Sequence, residues 1–180
     1  MANRTVSNER RSKRKAPRLG SSKKGSATAL RGRISALREE LEKAAAGLNY
    51  SSESDYPFRF FTLPAEDETD LTPQGFLSRI GVSQQFIDEV SLPIDRLVEE
   101  RTLDGFFPTD DDLVEYYGID ASDPKIVSES KRFRKLETVL KKRLRGVKVL
   151  RVGQVEIRCY IAGLDEDGNI AGLVTTAIET

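Results

Sequence analysis

The sequence contains no histidine, no tryptophan and only one cysteine, Cys159. Without histidine, the usual general base of hydrolases and the commonest zinc ligand are both missing. Ser-His-Asp, Cys-His and H-E-x-x-H chemistry is therefore excluded. A single cysteine cannot form an internal disulfide or a thiolate metal cage, and we interpret Cys159 as a buried residue of a strand.

Long apolar runs are also missing. No segment approaches the ~18 to 20 consecutive apolar residues of a membrane-spanning helix, and the N-terminus lacks the apolar core of a secretory signal. A chain of 180 residues with 38% hydrophobic content fits one compact domain with some chain outside it. We expect a soluble, intracellular protein that is monomeric when free and is cytoplasmic, or nuclear if the source is eukaryotic.

Charge is distributed unevenly, although 29 basic residues balance 29 acidic ones. Residues 1–33 hold eleven Lys or Arg against one Glu, a net +10, which leaves 18 basic and 28 acidic residues, a net −10, in the remainder. Residues 1–27 carry too little apolar surface to offset chain entropy, so we predict a disordered basic tail. Its basic cluster (Arg10, Arg11, Lys13, Arg14 and Lys15) suits nucleic acid or a nuclear import receptor, and equally a merely solubilising tail.

Apolar spacing predicts the first elements of a folded domain. Between Thr28 and Gly47, apolar residues recur every three or four positions, which predicts an amphipathic helix with Thr28 or Ser26 as its cap. The alternating residues of Phe58 to Leu63 predict a strand. The intervening segment SSESDY is then a loop between a helix and a strand.

The rest of the chain predicts further helices and a meander. A short helix is predicted over Ser83 to Val90, a strand within Leu97 to Phe107, and a helix with the acidic residues 110–112 at its start. A long amphipathic helix is predicted from Lys125 to Gly146. Three strands follow, Val147 to Val152, Gln154 to Ala162 with Val155, Ile157, Cys159 and Ile161 inward, and Ile170 to Ile178. The order of elements predicts an α/β or α+β sandwich.

Few residue patterns suit chemistry. Glu53 and Asp55 could form an acid/base pair or bind a divalent ion, but exposed loop acids are usually only solvated. The segment DEDGN, residues 165–169, lacks the ligand spacing of a calcium-binding EF-hand and predicts a hairpin turn. At the C-terminus, Glu179 and Thr180 directly follow a strand, which offers an α-carboxylate and a hydroxyl as hard oxygen donors, or is simply an ordinary surface terminus.

Several longer motifs carry a family resemblance. SSESDYPFRFF, FRKLETVLKKRL and KVLRVGQVEIRCYIAGLDEDGNIAGLVTTAIET resemble the nuclease A inhibitor-like family. The resemblance implies that residues 28–180 form a three-layer αβα sandwich with a mixed sheet and a C-terminal antiparallel meander. It also implies a protein that blocks a metal-dependent, sugar-non-specific DNA/RNA nuclease, with neither catalysis nor a cofactor of its own.

The resemblance also implies a site. In the family, the Glu of the S-E-S loop enters the nuclease active site and the C-terminal Thr reaches the catalytic magnesium, which correspond here to Glu53 and Thr180. Neighbouring residues would form the rim of that contact (Ser52, Ser54, Asp55, Glu66, Asp67 and Glu179). The family prototype also has a contacting tryptophan that this chain lacks, with Tyr116 or Tyr117 as possible substitutes.

Two other functions remain open at this stage. The first is a binding module whose basic tail engages nucleic acid or an import receptor, while the inhibitor fold serves a different partner. The second is a hydrolase that uses Glu53 and Asp55. Charge favours the inhibitor, because a body of net −10 is attracted to the cations and metal that a nuclease presents to phosphate.

Overall fold

A five-stranded antiparallel sheet forms the centre of the computed structural model, which describes residues 22–83, 85 and 93–180. The strands are β1 (Asn49–Ser51), β2 (Asp55–Pro57), β3 (Arg59–Leu63), β4 (Val98–Thr102), β5 (Arg145–Val152), β6 (Glu156–Leu164) and β7 (Ile170–Ile178). The sheet has the strand order β3-β7-β6-β5-β4, and β1 and β2 form a separate hairpin. The predicted C-terminal meander, β5 to β7, is confirmed.

The prediction of a mixed sheet was wrong, because all four pairings in the five-stranded sheet are antiparallel. Two helices, α4 (Asp110–Tyr117) and α5 (Pro124–Arg143), separate β4 from β5. In a β-α-β crossover, one helix lies between two strands that run parallel. Here two helices lie between β4 and β5, so the chain reverses direction one more time and β5 runs antiparallel to β4.

The first helix, α1 (Ser22–Ala45), begins earlier than predicted. Thr28 and Ser26 lie inside it, so neither is its cap, and the continuous helical pattern simply extends into the small and basic residues upstream. Its end is where the sequence placed it. Gly47 follows with a φ of +66°, a left-handed conformation that glycine adopts without steric cost.

Acidic residues begin α4 as predicted. Thr109 and Asp112 form a reciprocal capping box, in which each side chain bonds the other's backbone N–H. The helix ends at Gly118, which has a φ of +63°. Both caps lie within a few residues of the helix that they delimit, and the acidic residues at its start were the local signal that predicted it.

The long helix α5 ends at Arg143, so the prediction that Gly146 terminates it was wrong. Leu144 is already extended, and Gly146, with a φ of +60°, lies inside β5 where the register to β6 shifts between Arg145 and Lys148. Gly146 therefore provides the backbone conformation of a strand irregularity rather than a helix stop.

The two sets of alternating residues on the central strands belong to two different apolar clusters. Ile157, Cys159 and Ile161 are buried, as predicted, with Leu41 of α1 and Phe133 of α5. The opposite set, which includes Leu150, Ala162 and Ile170, is buried with Phe76 and Leu77 of α2 (Pro73–Arg79). The fold is α+β, and the three-layer αβα arrangement remains a prediction.

Other predictions had mixed outcomes. Val155 is 58% exposed rather than inward, because it precedes the first residue of β6. The strand predicted within Leu97 to Phe107 is β4, preceded by the short helix α3 (Ile94–Leu97). The predicted helix at Ser83 to Val90 and the basic cluster of the tail lie largely or wholly outside the described residues. Among the helices that are described, none is both long and apolar enough to span a bilayer.

Candidate functional site

The S-E-S segment forms the tip of a hairpin rather than a simple loop. β1 and β2 pair antiparallel, with Ser51 opposite Asp55, so that residues 52–54 make the connection. Ser52 tightens the tip, because its N–H and its hydroxyl both donate to the carbonyl of Ser54, at 3.2 and 3.1 Å. Glu53 lies at the apex with an exposed side chain.

The C-terminal residue contacts this apex. The backbone N–H of Thr180 donates to Oε1 of Glu53 at 3.0 Å, and the Thr180 hydroxyl donates to the same oxygen at 2.6 Å. These residues are 127 positions apart in the sequence. The structure thus brings together the two residues that the family resemblance singled out.

Hydrogen bonds to the end of β7 hold the hairpin beside the C-terminus. The Ile178 N–H donates to Oγ of Ser52 at 3.0 Å, and the Glu53 N–H donates to the Ile178 carbonyl at 3.3 Å. Further along, the hydroxyl of Thr175 donates to the carbonyl of Tyr56 at 3.1 Å. The hairpin is therefore fixed to the last strand of the sheet at several points along its length.

The penultimate residue, Glu179, points back to the sheet. Its N–H donates to the carbonyl of Val155 at 3.0 Å, and its carboxylate pairs with the guanidinium of Arg151 on β5. Arg151 also donates to Glu99 on β4 at 3.1 Å. Sequence reasoning overlooked Arg151, although its spacing from the inward-facing Val149 was a signal that this arginine lies on a buried face.

Asp55 has different partners from Glu53. It accepts hydrogen bonds from the hydroxyls of Ser51 and Tyr116, each at 2.8 Å. The bond to Asp55 raises the pKa of the Tyr116 phenol. Glu53 and Asp55 share no partner, so the contacts give no support to an acid/base pair made of these two carboxylates.

Tyr116 is an exposed aromatic residue that hydrogen-bonds to this hairpin. Its side chain is 49% exposed, and its ring packs edge-on against Tyr117, with centroids 4.8 Å apart. Tyr117 instead donates to Glu129 and carries the ammonium of Lys125 over its ring. Of the two tyrosines suggested by the sequence, only Tyr116 bonds to the S-E-S hairpin.

The remaining acidic segments have structural roles. Asp165 accepts the N–H groups of Asp167 and Asn169 at 2.9 and 2.8 Å, which closes the predicted turn. Glu66 pairs with Arg79, and Asp67 caps a short 3₁₀ helix, and among the described residues neither forms a hydrogen bond or ion pair with the hairpin. In the part of the chain that the structure describes, no cluster of three or more His, Cys, Asp or Glu could hold a metal ion.

Comparison with protein families decides which kind of protein presents this hairpin and terminus. The model of nuclease A inhibitor-like proteins matches residues 35–180, which include every element of the site. The chain belongs to the nuclease A inhibitor-like family. A search of curated proteins found no match. Membership of this family implies a non-enzymatic nuclease inhibitor whose partner is a nuclease.

Proposed function

We propose that this nuclease A inhibitor-like protein blocks the active site of a metal-dependent, sugar-non-specific DNA/RNA nuclease by inserting Glu53 and Thr180 at the catalytic centre. The observation that supports the proposal most strongly is the contact between these residues, where two Thr180 donors meet one oxygen of Glu53. A hairpin tip and a strand end thus present oxygen ligands as one unit.

The local charge supports this role. The carboxylate of Glu53 and the α-carboxylate of Thr180 lie on neighbouring residues of one exposed apex. Within residues 22–83, 85 and 93–180, no Lys or Arg forms an ion pair with either group. Two adjacent anions without a cation repel each other, and a metal ion or arginine supplied by a nuclease would relieve that repulsion.

The free oxygens suit a metal ion. Oε1 of Glu53 is occupied by Thr180, whereas no donor in the described chain bonds to its second oxygen, Oε2. That oxygen, together with the terminal carboxylate and hydroxyl of Thr180, belongs to the hard ligands that Mg²⁺ prefers. In this proposal Thr180 reaches the nuclease-bound ion in trans, and Glu53 occupies the position of a substrate phosphate.

Residues around the apex form the proposed rim. Ser52 and Ser54 shape the tip, Asp55 with Tyr116 extends one side, and Glu179 lies next to Thr180. Rim charges mainly raise association rates, and they do so most at low salt.

The first test changes Glu53. Glu53→Gln removes the charge and keeps the size, and we expect weaker inhibition of a purified Mg²⁺-dependent, sugar-non-specific nuclease by about 2 to 5 kcal/mol, or roughly 30-fold or more in Ki. The matched control is Glu39→Gln on the exposed surface of α1, which should leave Ki unchanged. Equal Ki values for both variants would refute the insertion of Glu53.

The second test changes the C-terminus. One glycine appended after Thr180 keeps every side chain but moves the α-carboxylate by a residue, and Thr180→Val replaces only the hydroxyl, with a methyl group. We expect both variants to inhibit less well, and the glycine extension to lose more, because it displaces a charged ligand rather than a neutral one. Unchanged inhibition by the extended chain would show that the terminus does not reach the metal.

The basic tail supports a second, separable function. Residues 1–21 carry seven Lys or Arg against Glu9, a net +6, and such a segment can bind nucleic acid through phosphate contacts. Deleting residues 1–21 leaves the described domain whole and should preserve inhibition. Loss of nucleic-acid retention or of nuclear location in this deletion would identify the tail as a binding module, whereas no change in either would leave the tail without that function.

A further inference from the structure

Arg151 is a buried cation on β5, the strand next to the edge strand β4. Its side chain is only 3% exposed, and it lies on β5 between Glu99 of β4 and Cys159 of β6. One nitrogen of the guanidinium donates to Glu99 and another to Glu179, while the Nε atom is buried without a hydrogen-bond partner. Burying a charge and leaving one of its donors unsatisfied both oppose folding.

The two partners of Arg151 lie in different parts of the fold. Glu99 lies on the edge strand β4, and its side chain is 48% exposed. Glu179 belongs to the two residues that follow β7, and its side chain is 50% exposed. Arg151 is therefore the point at which the C-terminal residues are tied by a side chain to the interior of the sheet.

We infer that Arg151 is a positioning residue, which holds Glu179 so that Thr180 stays on Glu53 before any nuclease binds. A terminal dipeptide normally frays, because few contacts offset its conformational entropy. Here the ion pair and the bond from the Glu179 N–H to Val155 fix the first residue of the pair. With Glu179 fixed, only the conformation of Thr180 itself remains free to vary.

This inference rests on the proposed function for its purpose, but its geometry can be tested without a nuclease. In the free full-length protein, the {¹H}-¹⁵N NOE of the Thr180 amide reports how rigid the terminus is. Glu179→Gln removes the ion pair between Arg151 and the C-terminal residues. We expect the NOE of the Thr180 amide then to fall toward the values of a frayed end. Glu99→Gln is the matched control, since it removes the other partner of Arg151 and should leave the Thr180 NOE unchanged.

A merely structural role predicts another pattern. If Arg151 only stabilised the sheet, Glu99→Gln and Glu179→Gln would lower the urea midpoint alike and leave Thr180 equally rigid. Equal NOE values in the two variants, or a Thr180 amide that is already mobile in the parent protein, would overturn the inference. Because neither variant changes Arg151 itself, both should fold even if Arg151→Met does not.

The inhibition assay adds a second readout. We expect Arg151→Met and Glu179→Gln to weaken inhibition by about 10-fold each, and the double variant by no more than either alone, since both remove the same contact between Arg151 and Glu179. We expect Arg151→Lys to inhibit better than Arg151→Met, because its ammonium can pair with one carboxylate. It should still inhibit less well than the parent, because an ammonium cannot bond both carboxylates as the planar guanidinium does. Fully additive losses would overturn the coupling.

The two proposals fail in different ways. A mobile Thr180 in Glu179→Gln with unchanged Ki would uphold the role of Arg151 and refute the insertion of the terminus into the nuclease. A Thr180 amide that stays rigid in Glu179→Gln, together with weaker inhibition by Glu53→Gln, would refute the role of Arg151 and uphold the insertion of Glu53.

Discussion

Ser52 offers a sharp test of how the hairpin is held against β7. Its hydroxyl accepts the Ile178 N–H at 3.0 Å and donates to the Ser54 carbonyl at 3.1 Å. Ser52→Ala removes both bonds, but the Ser54 carbonyl keeps the Ser52 N–H as a donor. The Ile178 N–H loses the acceptor that the Ser52 hydroxyl provides, and no other acceptor for it is recorded in the described part of the chain.

The expected cost follows from these contacts. A net hydrogen bond contributes about 0.5 to 1.5 kcal/mol, and an N–H left without its partner costs toward the upper end of that range. We therefore expect Ser52→Ala to lower the free energy of unfolding by about 1.5 kcal/mol. For a chain of this length that corresponds to a fall in Tm of about 3 to 6 °C.

The assay compares Ser52→Ala with Ser54→Ala. In the described part of the chain the Ser54 hydroxyl forms no hydrogen bond, so its removal should change Tm by less than about 1 °C. Both variants are followed by urea and thermal unfolding and by Ki, and Ser52→Ala should also inhibit several-fold less well because Glu53 loses its support. If the two variants unfold and inhibit alike, the Ser52 bridge does not hold the hairpin.

Two further predictions concern stability. Desolvation and then the hydrogen bond to Glu129 raise the pKa of Tyr117 from 10.0 to about 12, so its contribution is complete below pH 10 and lost as pH rises to 12. Urea unfolding should show that Tyr117→Phe loses less stability than the parent over this window, and an equal loss would contradict it. Gly172→Ala would place Cβ 1.8 Å from the Ile161 carbonyl oxygen and should cost about 3 kcal/mol or more. Gly32→Ala meets nothing within 4 Å on α1 and should instead stabilise by about 0.5 to 1 kcal/mol, and equal effects would refute the reasoning.

The sequence predicted well wherever local chemistry decides the conformation. The acidic residues 110–112 indicated the start of α4, and Gly47 indicated the end of α1. The alternation of Ile157 and Cys159 located β6 and its buried face. In each case the signal and the structure that it specifies lie within a few residues of each other.

Predictions failed where a distant partner decides. Gly146 matches the pattern of a helix stop, but pairing with β6 draws the chain into β5 before that residue. The direction of β4 relative to β5 depends on how α4 and α5 pack, and nothing in a strand's own residues records its orientation. Arg151 has the same limitation, because its partners Glu99 and Glu179 are 52 and 28 residues away.

The candidate site divides along the same line. By itself, the sequence determined that carboxylate side chains are present at positions 53 and 55 and that a strand runs to the last residues. It also determined which family motifs surround these positions. Only the tertiary structure decided that Glu53 meets Thr180 whereas Asp55 meets Tyr116. The physical reason is that a side chain has no preferred partner until strand pairing brings residues 127 positions apart within hydrogen-bond distance.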